Sequence, residues 1–194
     1  NNDDILIYDN SDLKSSCRCW FSLLYFGHDE KKIHILNGGL KKWIFEKKPI
    51  TKTETKITES NYVANKKDNL IVNFHQIKEN ILSKNFNVID ARSLERFEGK
   101  VSEPRKGLRS GHIENSFCLP YNQCIDQKTG EFKNLEELRK IFDQCENKEK
   151  KLDPVFTCGS GVTASVLAYA YKMVNNDYIP KIYDGSWSEY GKYP

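Results

Sequence analysis

Residues 155–164 read Val-Phe-Thr-Cys-Gly-Ser-Gly-Val-Thr-Ala. A β-branched run ends in one cysteine, two glycines flank a serine, and an apolar stretch continues to Val174. This pattern predicts a strand over 155–157, a tight loop and a helix over 162–174. Three chemistries can be built on such a turn. Gly159 to Ala164 matches the G-x-G-x-x-A dinucleotide pattern, and Asp184 stands at the end of the next strand. That reading needs a further half of a nucleotide fold, yet only ten residues follow Asp184, and a bound cofactor would press on Cys158. A cysteine phosphatase loop clamps phosphate bidentately with an arginine six positions on, but here that position is Ala164. The third chemistry belongs to the sulfur itself. Loop amides converge on a sulfur at a strand's end, and the positive end of the helix lies behind it. Both favour thiolate over thiol, the condition for a nucleophilic cysteine. Glycines at 159 and 161 permit the backbone angles that such a ring requires. A merely buried cysteine beside a turn is the plainer alternative, and the strand–Cys–loop–helix context weighs against it.

Working outward, the unit around Cys158 has a counterpart near the start of the chain. Strand 155–157, helix 162–174 and strand 181–183 are followed by Asp184-Gly185-Ser186-Trp187. Likewise strand 5–8, a helix over 17–26 and strand 33–36 are followed by Asn37-Gly38-Gly39-Leu40. Parallel strands joined by a crossover helix fit both spacings, and the shared Asn/Asp-Gly turn favours duplication over chance. Asp9 then falls near the place that Cys158 holds in the second copy. Residues 49–69 lack apolar periodicity and read as a linker. A fresh start follows, with an extended 70–72, a helix over 74–82, a strand over 87–90 and a helix over 135–142. The second unit is complete over 70–194, whereas residues 1–48 hold only the closing part of such a unit. Tyr8, Trp20 and Trp43 are therefore expected in a core completed by roughly eighty residues preceding Asn1.

The chain's 194 residues suffice for one large domain or two small ones. A hydrophobic content of 38% and a charged content of 29% fit a globular protein better than a disordered or membrane one. No apolar run approaches a bilayer's span, and Asn1 to Asp4 show no signal-peptide pattern. A net charge of +3, with lysines scattered among acids, offers no basic stripe for nucleic acid. The six cysteines (17, 19, 118, 124, 145 and 158) contain no Cys-x-x-Cys pair, and the four histidines have no zinc spacing, so no metal site is expected. They read as reduced thiols of a cytoplasmic protein, a mitochondrial one being left open because Asn1 is no initiator Met.

Cys158-Gly159-Ser160-Gly161-Val162-Thr163-Ala164, with Ile182 to Trp187 behind it, resembles the active-site end of the tandem rhodanese-fold 3-mercaptopyruvate sulfurtransferases. Val88 to Tyr121 is similar to that family's catalytic-domain entrance, and Tyr25 to Trp43 to the end of its non-catalytic domain. The resemblance implies an α/β fold: a rhodanese-like parallel sheet flanked by helices, one complete domain (70–194) plus the C-terminal part of a second (1–48), joined by linker 49–69. It implies that Cys158 carries sulfur as a persulfide, with Ser160 as the loop hydroxyl and Gly159, Gly161, Val162 and Thr163 building the loop. Arg96 and Arg105 would hold the substrate, with Arg109 a third cation. The acid and histidine of the family's serine relay would lie before Asn1. The family transfers sulfur from 3-mercaptopyruvate to thioredoxin, small thiols or cyanide without a metal or organic cofactor. The planar guanidinium forks suit the carboxylate and adjacent carbonyl of a 2-oxo acid. Taken alone, Arg96 beside Glu95 and Glu98 reads as a surface ion pair. A non-catalytic rhodanese-like binding module and a thiosulfate-preferring enzyme are the alternatives. Uncharged Gly159 and Ser160 favour 3-mercaptopyruvate, because a small dianion would want a cation there.

Overall fold

Two parallel sheets run through the chain and share no strand. The computed structural model describes residues 3–145 and 152–193; the lysine run at 148–151 lies outside them. The first unit comprises β1 (Ile5–Ile7), α1 (Ser16–Tyr25), β2 (Ile33–Ile35) and α2 (Gly39–Phe45). β1 and β2 pair in parallel, Ile5 opposite Ile33 and Ile7 opposite Ile35. The odd-numbered side chains face the core, while Leu6 and Tyr8 point to solvent. Residues 48–67 form neither helix nor strand. The segment is tied back at its end, where the Asn65 and Lys67 amides donate to the Phe26 and Tyr25 carbonyls at 2.9 and 2.8 Å.

The second unit comprises β3 (Ile71–Val72), α3 (Phe74–Ser83), β4 (Asn87–Asp90), α4 (Leu94–Phe97), β5 (Ser116–Cys118) and α5 (Leu135–Asp143). It closes with β6 (Pro154–Thr157), α6 (Val162–Val174), β7 (Ile182–Tyr183) and α7 (Ser186–Tyr190). Its sheet has the order β3-β7-β6-β4-β5, parallel throughout. Every residue of β4 and β6 is buried, as central strands covered by helices on both faces require. α3 and α5 both begin with reciprocal capping boxes, Asn73 with Gln76 and Asn134 with Glu137. α6 is apolar nearly all round because the sheet lies on one side and α1 on the other. Ala164, Ser165, Ala168 and Ala170 let its neighbours approach closely.

This packing corrects one expectation. Trp20 is 2% exposed without any further strands, because Tyr169 of α6 meets it edge-on with ring centroids 5.0 Å apart. Ile7, Trp20, Phe21 and Leu24 join Phe156 and Leu167 in one continuous core. Tyr8, by contrast, is 60% exposed, and half-buried Trp43 turns its indole N–H to the Pro49 carbonyl at 2.9 Å.

Candidate active site

From β4 the chain proceeds to β5 on one side of the sheet, and from β6 to β7 on the other. The crevice between the carboxyl ends of β4 and β6 is therefore a topological switch point, where α/β sheets bind ligands. Cys158 immediately follows β6. The Gly161 and Ser160 amides both donate to its sulfur, at 3.1 and 3.4 Å. The loop is held from beneath by the start of α7. Trp187 N–H donates to the Cys158 carbonyl at 2.9 Å, and Ser188 N–H to that of Gly159 at 3.0 Å. The Ser186 hydroxyl accepts from the Cys158 amide at 3.4 Å and donates to the Tyr183 carbonyl at 2.9 Å. Gly161 caps α6 in the left-handed region, φ +79°, and a Cβ there would run into the Asp184 carboxylate and the Arg18 guanidinium. Both conformation and space demand glycine. Ser160, Val162 and Thr163 are half-buried at this turn, and Ser160 reaches the sulfur through its amide rather than its hydroxyl.

Burial pushes Cys118 and Cys124 up to about 12, and also raises Cys17 and Cys19, so all four are held as thiols.

Arg96 and Arg105 meet over Gly159. A Cβ on that glycine would stand 3.1 Å from Arg96 Nη2 and 3.5 Å from Arg105 Nη1. The carboxylate holding Arg96 is Glu103, not the neighbouring Glu95 or Glu98: Nη2 donates to Oε2 at 2.5 Å and Nε to Oε1 at 3.2 Å. Glu103 also accepts from Arg92 Nη1 at 2.7 Å. Burial opposes the charge of Glu103, but the Arg96 and Arg92 guanidiniums outweigh it and hold the carboxyl below the usual range. Arg92, which sequence reading did not single out, is 2% exposed. It grips both Asp90 oxygens and lies 4.4 Å from the Trp187 ring centroid. Among the described residues Arg105 has no carboxylate partner within 4.0 Å. Arg92, Arg96 and Arg105 against Asp90 and Glu103 leave one positive charge, 3 − 2 = +1, beside the loop. Arg109 lies against the rings of α7. Its guanidinium stacks on Trp187 and Tyr190, 4.8 and 5.3 Å from the ring centroids, and Nε donates to the Tyr193 carbonyl at 2.8 Å.

A cleft of about 720 Å³ lies between α2 and residues 121–130, lined by Lys14, Lys41, Lys42, Tyr121 and Lys128 and by none of the loop residues. Among the described residues no group of three or more His, Cys, Asp or Glu is placed to hold a metal, and no helix is long and apolar enough to cross a membrane.

A parallel sheet bearing a cysteine in a ring of amides at its switch point is the build of a rhodanese-like domain. Residues 73–193 match the rhodanese-like domain family, and the chain belongs to it. It is similar to the human 3-mercaptopyruvate sulfurtransferase, 36% identical over 96% of this chain and 62% of that protein. It is also 34% identical, over all of this chain and 55% of the relative, to the mitochondrial thiosulfate/3-mercaptopyruvate sulfurtransferase 1 of Arabidopsis thaliana. Among solved structures, SseA from Escherichia coli, described as a 3-mercaptopyruvate sulfotransferase, matches with a TM-score of 0.79 and 31% identity, covering 95% of this chain and 66% of that one. The chain thus spans a little over half the length of these curated relatives.

Proposed function

We propose that the chain is the sulfur-carrying part of a sulfurtransferase that takes sulfur from 3-mercaptopyruvate onto Cys158. The reading is carried by one observation: two amides on the Cys158 sulfur, with a guanidinium pair against the next residue, Gly159, that has one charge to spare. The Cys158 thiolate attacks the donor's sulfur, forming an S–S bond as the C3–S bond breaks. The released electron pair becomes the enolate of pyruvate, which is then protonated at C3. Arg96 and Arg105 hold the carboxylate and the oxygen on which charge develops, the electrostatic stabilisation such a step needs. The persulfide then gives its outer sulfur to a thiol such as thioredoxin or a small thiol, or to cyanide in vitro.

The relatives' names include both donors, so likeness alone does not select one. We take 3-mercaptopyruvate as the donor because its planar carboxylate suits the two guanidiniums over Gly159. Residues 1–48 are proposed as the closing part of a second rhodanese-like unit, with 49–69 as linker and 70–194 as the catalytic unit. Six free cysteines suit a reducing compartment, cytoplasm or mitochondrial matrix.

The test is mass spectrometry after mixing with 3-mercaptopyruvate. One extra sulfur atom is expected on the Cys158 peptide, and none anywhere in Cys158→Ser. A persulfide in the Cys158→Ser protein would overturn the mechanism, and no persulfide in the parent would leave a binding module.

A further inference from the structure

α1 belongs to the first unit, yet one of its side chains reaches the sulfur-carrying loop of the second. Arg18 Nη1 donates to the Gly161 carbonyl at 3.3 Å and to Asp184 Oδ1, while Nη2 donates to Asp184 Oδ2 at 3.3 Å. Gly161 is thereby gripped on both sides. Its N–H points at the Cys158 sulfur at 3.1 Å, and its carbonyl is held by Arg18 and by the Ser165 hydroxyl at 3.0 Å.

A grip of this kind answers a specific physical need. Glycine populates positive and negative φ about equally, so nothing intrinsic to Gly161 keeps it at +79°. Turning it over would swing its N–H away from the sulfur and break the ring of amides. The space beside Gly161 is filled by the Asp184 carboxylate and the Arg18 guanidinium, the latter 2.7 Å from where a Cβ would stand, so no larger residue can take its place. The bidentate fork fixes the guanidinium plane, and that plane fixes the carbonyl. The charged groups around the loop then divide by task. Arg96 and Arg105 lie over Gly159 on the substrate side, whereas Arg18 and Asp184 lie behind Gly161.

We infer that Arg18 is a positioning residue for Cys158. It is a cation lent by the first unit that, with Asp184, locks Gly161 in its left-handed conformer and keeps an amide on the reacting sulfur. The first unit is thus part of the sulfur site without touching substrate. The inference rests on Cys158 being the sulfur carrier, but its test does not require a donor.

The test measures carbamidomethylation of Cys158 by iodoacetamide at fixed pH, followed on the Cys158 peptide by mass spectrometry. Arg18→Ala and Asp184→Asn should each slow the reaction about tenfold, equivalent to about 1.4 kcal/mol. The double variant should be no slower than either single one, because the two side chains act as one device. Arg18→Lys, which restores the charge without the fork, should recover part of the rate. With 3-mercaptopyruvate, kcat should fall while KM stays near the parent's, because Arg96 and Arg105 are untouched. If Arg18→Ala does not fold, Asp184→Asn decides alone. Alkylation at the parent rate in a folded variant would overturn the role. A parent protein that transfers no sulfur, but whose Cys158 slows in the variants, would overturn the proposed function and leave the positioning role standing.

Discussion

Asp9 and Cys158 hold corresponding places in two similar latches. The Asp9 carbonyl accepts the N–H of Leu40 at 2.9 Å, and the Cys158 carbonyl accepts that of Trp187 at 2.9 Å. Each donor follows a residue held at positive φ, Gly39 at 60° and Ser186 at 53°, after an Asn/Asp-Gly pair. Where the latch at Cys158 aims loop amides at a sulfur, the one at Asp9 aims the Ser16 amide at Asp9 Oδ2, 2.6 Å away. The template presents an acceptor to converging amides.

Ser186 is fully buried, holds a left-handed backbone and accepts the Cys158 N–H at its hydroxyl, so its substitutions separate two effects. Ser186→Ala keeps the unfavourable φ and leaves a buried amide without its acceptor. Ser186→Gly removes the backbone penalty but not that loss. Both should be destabilised by about 1–3 kcal/mol, with the glycine variant recovering about 1 kcal/mol of it. Urea unfolding measures the difference, and equal midpoints would show that the φ at 186 carries no strain.

Gly159→Ala should slow persulfide formation from 3-mercaptopyruvate, because the new Cβ meets Arg96 Nη2 at 3.1 Å and Glu103 restrains that arginine's retreat. Adding cations at the loop, Gly159→Arg with Ser160→Lys, must displace both guanidiniums. Use of 3-mercaptopyruvate should therefore fall as use of thiosulfate rises, moving the ratio of kcat/KM values about ten- to a hundredfold. An unchanged ratio would mean that loop charge does not choose the donor.

Arg105→Gln and Arg96→Gln should behave differently. Arg105 makes no ion pair within the described residues, so its loss should raise KM for a 2-oxo acid while the melting temperature stays nearly constant. Arg96→Gln leaves Glu103 with Arg92 alone and should lower both activity and stability. Paired kinetics and melting curves for the two variants provide the comparison.

The depressed carboxyl of Glu103 makes a pH prediction with a definite sign. Its folded-state pKa lies below the ordinary 4.5, so its stabilising contribution is complete above that value and lost as pH falls beneath it. Glu103→Gln should be less stable than the parent at pH 7, and the gap should narrow below about pH 4.5. Denaturant titrations at the two pH values test it, and a constant gap would refute the assignment.

Much of this architecture is legible in the chain. Helix 162–174 and strand 87–90 fall where periodicity puts them, because both are central and their burial dominates the pattern. β5 and α4 are not legible. One is a three-residue edge strand with no fully buried position, the other a single turn, and neither is long enough for a period to emerge. The segment at 184–190 reads as a turn, yet it tightens into α7 and becomes the floor of the loop. The strand–Cys158–loop–helix pattern stands out in the sequence, Arg96 and Arg105 are singled out only through the family resemblance, and Arg92, Ser186 and Arg18 are not singled out at all. Arg18 lies 143 residues from the carbonyl it binds, and Glu103 lies beyond the end of α4, seven residues from Arg96. Partnerships of that kind are made by the fold.

Residues 54–61 are exposed and belong to no helix or strand, while what joins the two units, Trp20 against Tyr169 and Arg18 against Asp184, lies elsewhere. The peptide backbone here therefore acts as a tether rather than as structure. Its service is to keep two mating surfaces at high effective concentration. A chain cut within this stretch would remain one molecule in shape and become two in covalent terms.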